Sequence, residues 1–130
     1  MSLDVKQRLI VALDVDTRTE AERLVEALEG HVGVFKVGMQ LYNSEGPEIV
    51  RSLMQRGGKV FADLKFHDIP NTVVQAGRVM TRLGVFMYNL HVAGGQEMMR
   101  QTVAATHEEA KAAGVNPPLV LGVTVLTSIT

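Results

Sequence analysis

At 130 residues the chain has the length of one domain, and its 46% hydrophobic and 21% charged residues exclude a disordered segment. Thirteen basic residues face fourteen acidic ones, a net charge of −1 that lacks the basic surplus expected for nucleic-acid or anionic-membrane partners. There is no cysteine, which excludes disulfide and thiolate-metal frameworks and fits a cytoplasmic setting; MSLDVKQRL carries no apolar signal core, and no apolar run approaches the roughly 20 residues of a membrane span.

Short apolar runs alternate with longer segments of helical spacing. The runs read as buried strands: Leu9–Leu13, Val34–Val37, Val60–Leu64, Met87–His91 and Leu119–Thr124. After the first run, Ala21, Leu24, Val25 and Leu28 form an apolar stripe. Thr17 and Glu20 make a T-x-x-E capping box before it, and Gly30 sits where that helix should stop. A second helix is expected from Pro47 to Gly57, a third from Pro70 to Gly84, and a fourth from Gln96 to Gly114. Strand, helix, strand repeats of this kind predict a parallel sheet covered by helices, in one unit spanning residues 1–130. No G-x-G-x-x-G follows the first strand, which removes the dinucleotide-binding version. Gly94-Gly95 is a weak phosphate-loop candidate.

The informative residues are charges at strand ends. Asp14 closes the first strand, Lys36 interrupts the second, Asp63 and Lys65 close the third, and His91 closes the fourth; Thr124 and Thr127 follow the fifth. The C-terminal ends of the strands are where parallel α/β folds build active sites. Asp63 and Lys65 are two apart and point to one face of a regular strand, with Asp68 just beyond. Alternating signs let such a cluster survive burial and hold a lysine protonated beside a carboxylate. Taken singly, each charge has a plainer reading. Asp14 or Asp16 would cap the first helix and Asp68 the third. His67 and His91 suit structural roles, His107 a solvated helix face, and the seven methionines core filling.

At Asp63–Thr72, DLKFHDIPNT, the sequence resembles the orotidine 5′-phosphate decarboxylase family. ALDVD around Asp14, FKVGMQLY around Lys36, NLHVAGG at 89–95 and GVTVLTS at 122–128 match in order and spacing. The resemblance implies an α/β (β/α)8 TIM barrel, of which this chain holds the N-terminal five strands and four helices. It implies decarboxylation of orotidine 5′-phosphate to uridine 5′-phosphate in de novo pyrimidine biosynthesis, with no metal or organic cofactor. Lys65 is then the proton donor to C6. Lys36, Asp63 and Lys65 form a charged tetrad with Asp68 from a second subunit of a homodimer with shared sites. Asp14, Lys36 and Thr72 hold the ribose hydroxyls, Ile69 packs near the leaving group and Thr127 meets the pyrimidine. Phe86-Met87-Tyr88 is bulkier and less acidic than the family pattern.

Two rival readings follow. A metal-dependent sugar-phosphate decarboxylase or aldolase of the same suprafamily shares D-x-K-x-x-D, but carries a carboxylate where this chain has Lys36, a cation that would repel the metal. The other is an inactive half-barrel. A (β/α)8 barrel takes about 250 residues, so the isolated chain is expected to be inactive without a complementary C-terminal portion, which holds the phosphate-gripping loops.

Overall fold

The computed structural model describes residues 4–130. Five strands, β1 (Ile10–Ala12), β2 (Val34–Gly38), β3 (Lys59–Phe66), β4 (Met87–His91) and β5 (Leu119–Val123), follow one another in chain order. The pairs β1–β2, β2–β3 and β4–β5 are parallel. A strand order that never reverses is that of a barrel; an open doubly wound sheet reverses at its switch point. The chain divides into two compact units, Met1–Asp63 and Leu64–Thr130, taken separately below.

The first unit carries helices α1 (Arg18–Leu28), α2 (Met39–Glu45) and α3 (Glu48–Gln55). Thr17 caps α1 as its motif predicts: its Oγ1 accepts the Glu20 N–H at 3.3 Å. The Glu20 carboxylate folds back onto that same hydroxyl at 2.9 Å. Pro47 stands at the N-cap of α3, one position before its expected place. Helix α2 is an addition to the four helices expected from the sequence. It spans seven residues between Gly38 and Gly46, with only Leu41 buried, too short for a helical period to register. Leu13, Val25, Val37, Leu41, Val50, Leu53 and Val60 are fully buried in this unit. On its surface, Glu22 of α1 receives Arg18 at 2.7 Å, Arg56 at 3.1 Å and the Ser52 hydroxyl.

The second unit carries α4 (Pro70–Leu83) and α5 (Gln96–Ala113). Pro70 opens α4, and left-handed Gly84 and Gly114 end the two helices, as their sequence predicts. Gly77 is where α4 comes closest to its neighbours. A β-carbon there would lie 2.6 Å from Tyr88 Oη and 3.3 Å from Thr106 Oγ1. Thr106 donates to the Thr102 carbonyl at 2.9 Å, so its oxygen accepts the Tyr88 hydroxyl at 2.6 Å. Burial pushes the Tyr88 phenol above its ordinary pKa. The bulky Tyr88 is thus accommodated by a glycine. Val73, Leu90 and Met98 form a core cluster with Phe66, Met99 and Val120 against it. Met80, Met87 and Met98 are buried, whereas in the first unit Met39 and Met54 are exposed. Arg78 bonds Glu108 at 2.8 Å and Glu109 at 3.3 Å, and Arg82 bonds Glu109 at 2.9 Å.

Large apolar side chains remain in solvent in each unit: Leu9 and Ile10 in the first; Leu119, Leu121, Val125 and Ile129 in the second. No helix among the described residues is long and apolar enough to cross a membrane.

Candidate active site

In the first unit, strand register brings the charged residues together. Ala12 pairs with Lys36, Lys36 with Phe61, and Gly38 with Asp63. Asp63 lies two residues beyond Phe61 and therefore shares its face. From there Asp63 Oδ2 meets Lys36 Nζ at 3.1 Å. The carboxylate is largely buried and the lysine partly so. Asp14 follows β1, and the Leu13 N–H still donates to the Lys36 carbonyl at 2.9 Å. Asp14 is exposed, its Oδ1 3.8 Å from where a β-carbon on Gly38 would stand. Asp16 turns away: it accepts from Gln40 at 2.7 Å, and its carbonyl accepts the Ser44 hydroxyl at 2.5 Å. Neither aspartate caps α1, because Thr17 does.

In the second unit the end of β3 departs from a regular strand. Lys65 has φ +50°, the one positive φ outside glycine among the described residues. The alternation that would put Asp63 and Lys65 on one face is interrupted there. The Lys65 N–H donates to Oδ1 of buried Asn89 at 2.8 Å. His67 follows, its ring centroid 5.2 Å from that of His91. Asp68 Oδ1 accepts the N–H of Ile69 at 2.7 Å. Ile69 is the N-cap of α4 and has no side-chain cap bond, so Asp68 is not the cap its position suggested. Ile69 is 66% exposed, and Thr72, in the first turn of α4, is exposed as well. A pocket of about 510 Å³ is lined by His67, Asp68, Ile69, Pro70, Ala93 and Gly94. Thr127 is exposed in a turn closed by the Ile129 N–H on the Leu126 carbonyl at 3.0 Å. Among the described residues no three acidic, histidine or cysteine side chains are grouped to hold a metal ion.

The chain as a whole resembles known proteins. The model of the orotidine 5′-phosphate decarboxylase / HUMPS family matches residues 7–130. The chain belongs to this family. It is 61% identical over 127 residues to the orotidine 5′-phosphate decarboxylase of Syntrophomonas wolfei subsp. wolfei, covering 98% of this chain and 53% of that protein. The crystal structure of an orotidine 5′-phosphate decarboxylase from Lactobacillus acidophilus is similar, with a TM-score of 0.84 and 36% identity over 94% of this chain and 55% of that one. An uncharacterized conserved protein from Geobacillus kaustophilus gives a TM-score of 0.86 at 43% identity, over 94% of this chain and 56% of its own. The chain thus spans about half the length of the relatives it matches. The fold expected from the motifs, an α/β barrel of this decarboxylase type represented by its first five strands, is the one found.

One residue beside the expected set was not singled out from the sequence of this decarboxylase-family chain. Asn89 is the odd polar residue in the apolar run MYNLH, and that oddity was its signal.

Proposed function

We propose that this chain is the N-terminal part of a (β/α)8 domain that decarboxylates orotidine 5′-phosphate to uridine 5′-phosphate without metal or organic cofactor, within pyrimidine biosynthesis. The observation that carries the reading is the Lys36–Asp63 pair at 3.1 Å at the C-terminal end of β2 and β3, in the strand that continues to Lys65. Lys36, Asp63, Lys65 and a second subunit's Asp68 surround the scissile carboxylate in this reading. The C6–carboxylate bond breaks, the electron pair stays on C6, carbon dioxide leaves, and Lys65 Nζ delivers a proton to C6. A cation already at that carbon stabilises the developing negative charge more than it stabilises the substrate. Asp14, Lys36 and Thr72 bind the ribose hydroxyls, Ile69 packs by the leaving group, and Thr127 contacts the pyrimidine. The active unit is a cytoplasmic homodimer. Its phosphate grip comes from barrel residues outside this chain, whether in the same polypeptide or in a complementary one, so the 130 residues alone are inactive.

The decisive experiment is decarboxylation of orotidine 5′-phosphate by the full-length protein, with and without a chelator, beside Lys65→Ala. Turnover that ignores the chelator and falls on the order of 10⁴-fold in Lys65→Ala is expected. Turnover lost to the chelator would favour the metal-dependent branch. A Lys65→Ala protein within about tenfold of wild type would remove Lys65 as the acid.

A further inference from the structure

Lys65 combines two unusual features. It is a β-carbon-bearing residue held at φ +50°, in the region normally left to glycine. Its N–H is also bonded to a side chain, Asn89 Oδ1 at 2.8 Å, although Lys65 lies within a strand. A regular strand sends that N–H to a neighbouring backbone carbonyl. Here the Asn89 amide, from the next strand, supplies a side-chain acceptor for it. Asn89 itself is 4% exposed, in a strand whose other residues are chiefly apolar or aromatic. A buried amide is costly unless bonded, which makes Asn89 a poor residue for packing and a suitable one for holding a backbone donor. Strained backbone persists where its surroundings over-determine it.

We infer that Asn89 is a positioning residue: its side-chain carbonyl holds the Lys65 backbone in the left-handed conformation and so sets where the Lys65 ammonium is delivered. The inference rests on the proposed role of Lys65 as proton donor. Asn89 touches no reacting atom. Its loss should therefore act on the chemical step and leave substrate affinity nearly unchanged, because a misplaced catalytic group lowers kcat without weakening ground-state binding.

The test uses the full-length protein with three variants, each checked for folding by thermal melting. Asn89→Leu keeps the branched side-chain shape and removes the acceptor; Asn89→Asp keeps an oxygen acceptor; Lys65→Ala removes the side-chain ammonium and keeps the backbone N–H. Expected is a kcat about a hundredfold lower in Asn89→Leu with KM changed less than about threefold, and Asn89→Asp within about tenfold of wild type. A crystal structure of Asn89→Leu should show Lys65 returned to negative φ. If Lys65→Ala is inactive and folded Asn89→Leu keeps its kcat, the positioning role is overturned while the proton-donor reading stands. If Lys65→Ala remains active, the proton-donor reading falls and takes this inference with it. Should Asn89→Leu not fold, Asn89→Asp decides: folded and near wild type it supports the role, and folded but more than about a hundredfold slower it overturns it.

Discussion

Lys36 and Asp63 meet at 3.1 Å although 27 positions separate them in the chain. Parallel register alone produces the contact: Lys36 pairs with Phe61, and Asp63 is the next residue on that face. Removing the cation takes the Lys36 counter-charge from a largely buried carboxylate. Lys36→Met should therefore destabilise the protein by about 1–3 kcal/mol, read from urea unfolding. Lys36→Met combined with Asp63→Asn removes both charges and should recover most of that stability while decarboxylation stays lost. A double variant no more stable than Lys36→Met would show that the pair does not set the cost.

Asp68 stands on the loop entering α4, with Ile69 and Thr72 exposed beside it. If these residues serve a neighbouring subunit, inactive Asp68→Ala and inactive Lys65→Ala proteins should complement each other. One of the two sites in each heterodimer regains a full tetrad, so random reassortment should return about a quarter of wild-type activity. A mixture that remains dead, with heterodimers demonstrated by mass spectrometry, would refute the shared site.

Gly77 and Tyr88 are matched in size. Gly77→Ala would place a methyl 2.6 Å from Tyr88 Oη and should cost about 1–3 kcal/mol. Tyr88→Phe removes the obstructing hydroxyl together with its bond to Thr106, a loss of about 1 kcal/mol by itself. The double variant should be more stable than the sum of the two losses predicts, measured by thermal unfolding as a double-mutant cycle. Strict additivity would place the strain of Gly77→Ala elsewhere.

Glu22 gives a pH signature. Hydrogen bonds from Arg18 and then Ser52, aided by the charge of Arg56, hold its carboxyl at about 2 against an ordinary 4.5. A lowered folded-state pKa means that the unfolded chain takes up protons first on acidification. The stabilisation is therefore present in full above about pH 5 and is lost as pH falls through 4.5 towards 2. Glu22→Gln should flatten the acid limb of stability in that window and leave the neutral-to-basic side parallel to wild type. Unfolding curves of equal steepness in acid for both proteins would contradict the assignment.

Local chemistry was legible in the sequence. Thr17 with Glu20, Pro70, Gly84 and Gly114 mark helix ends through bonds and backbone conformations that involve only near neighbours. The apolar runs placed all five strands; β2, β3 and β4 are largely buried, as continuous apolar runs imply, whereas β1 and β5 were expected to be buried and leave Ile10, Leu119 and Leu121 exposed. The DLKFHDIPNT segment and its flanks disclosed the family, since they carry the charged residues in an unusual order. What local pattern could not settle, tertiary structure decided. The seven-residue α2 is too short to show a period. Both candidate caps, Asp14 or Asp16 for α1 and Asp68 for α4, lost to neighbours once the loops took their paths. Strand alternation put Asp63 and Lys65 on one face, but the left-handed turn at Lys65 interrupts it, and that turn is matched by Asn89, 24 residues away in the next strand. Sequence states which groups are available. Register and backbone twist, which depend on contacts remote in the chain, decide which of them meet.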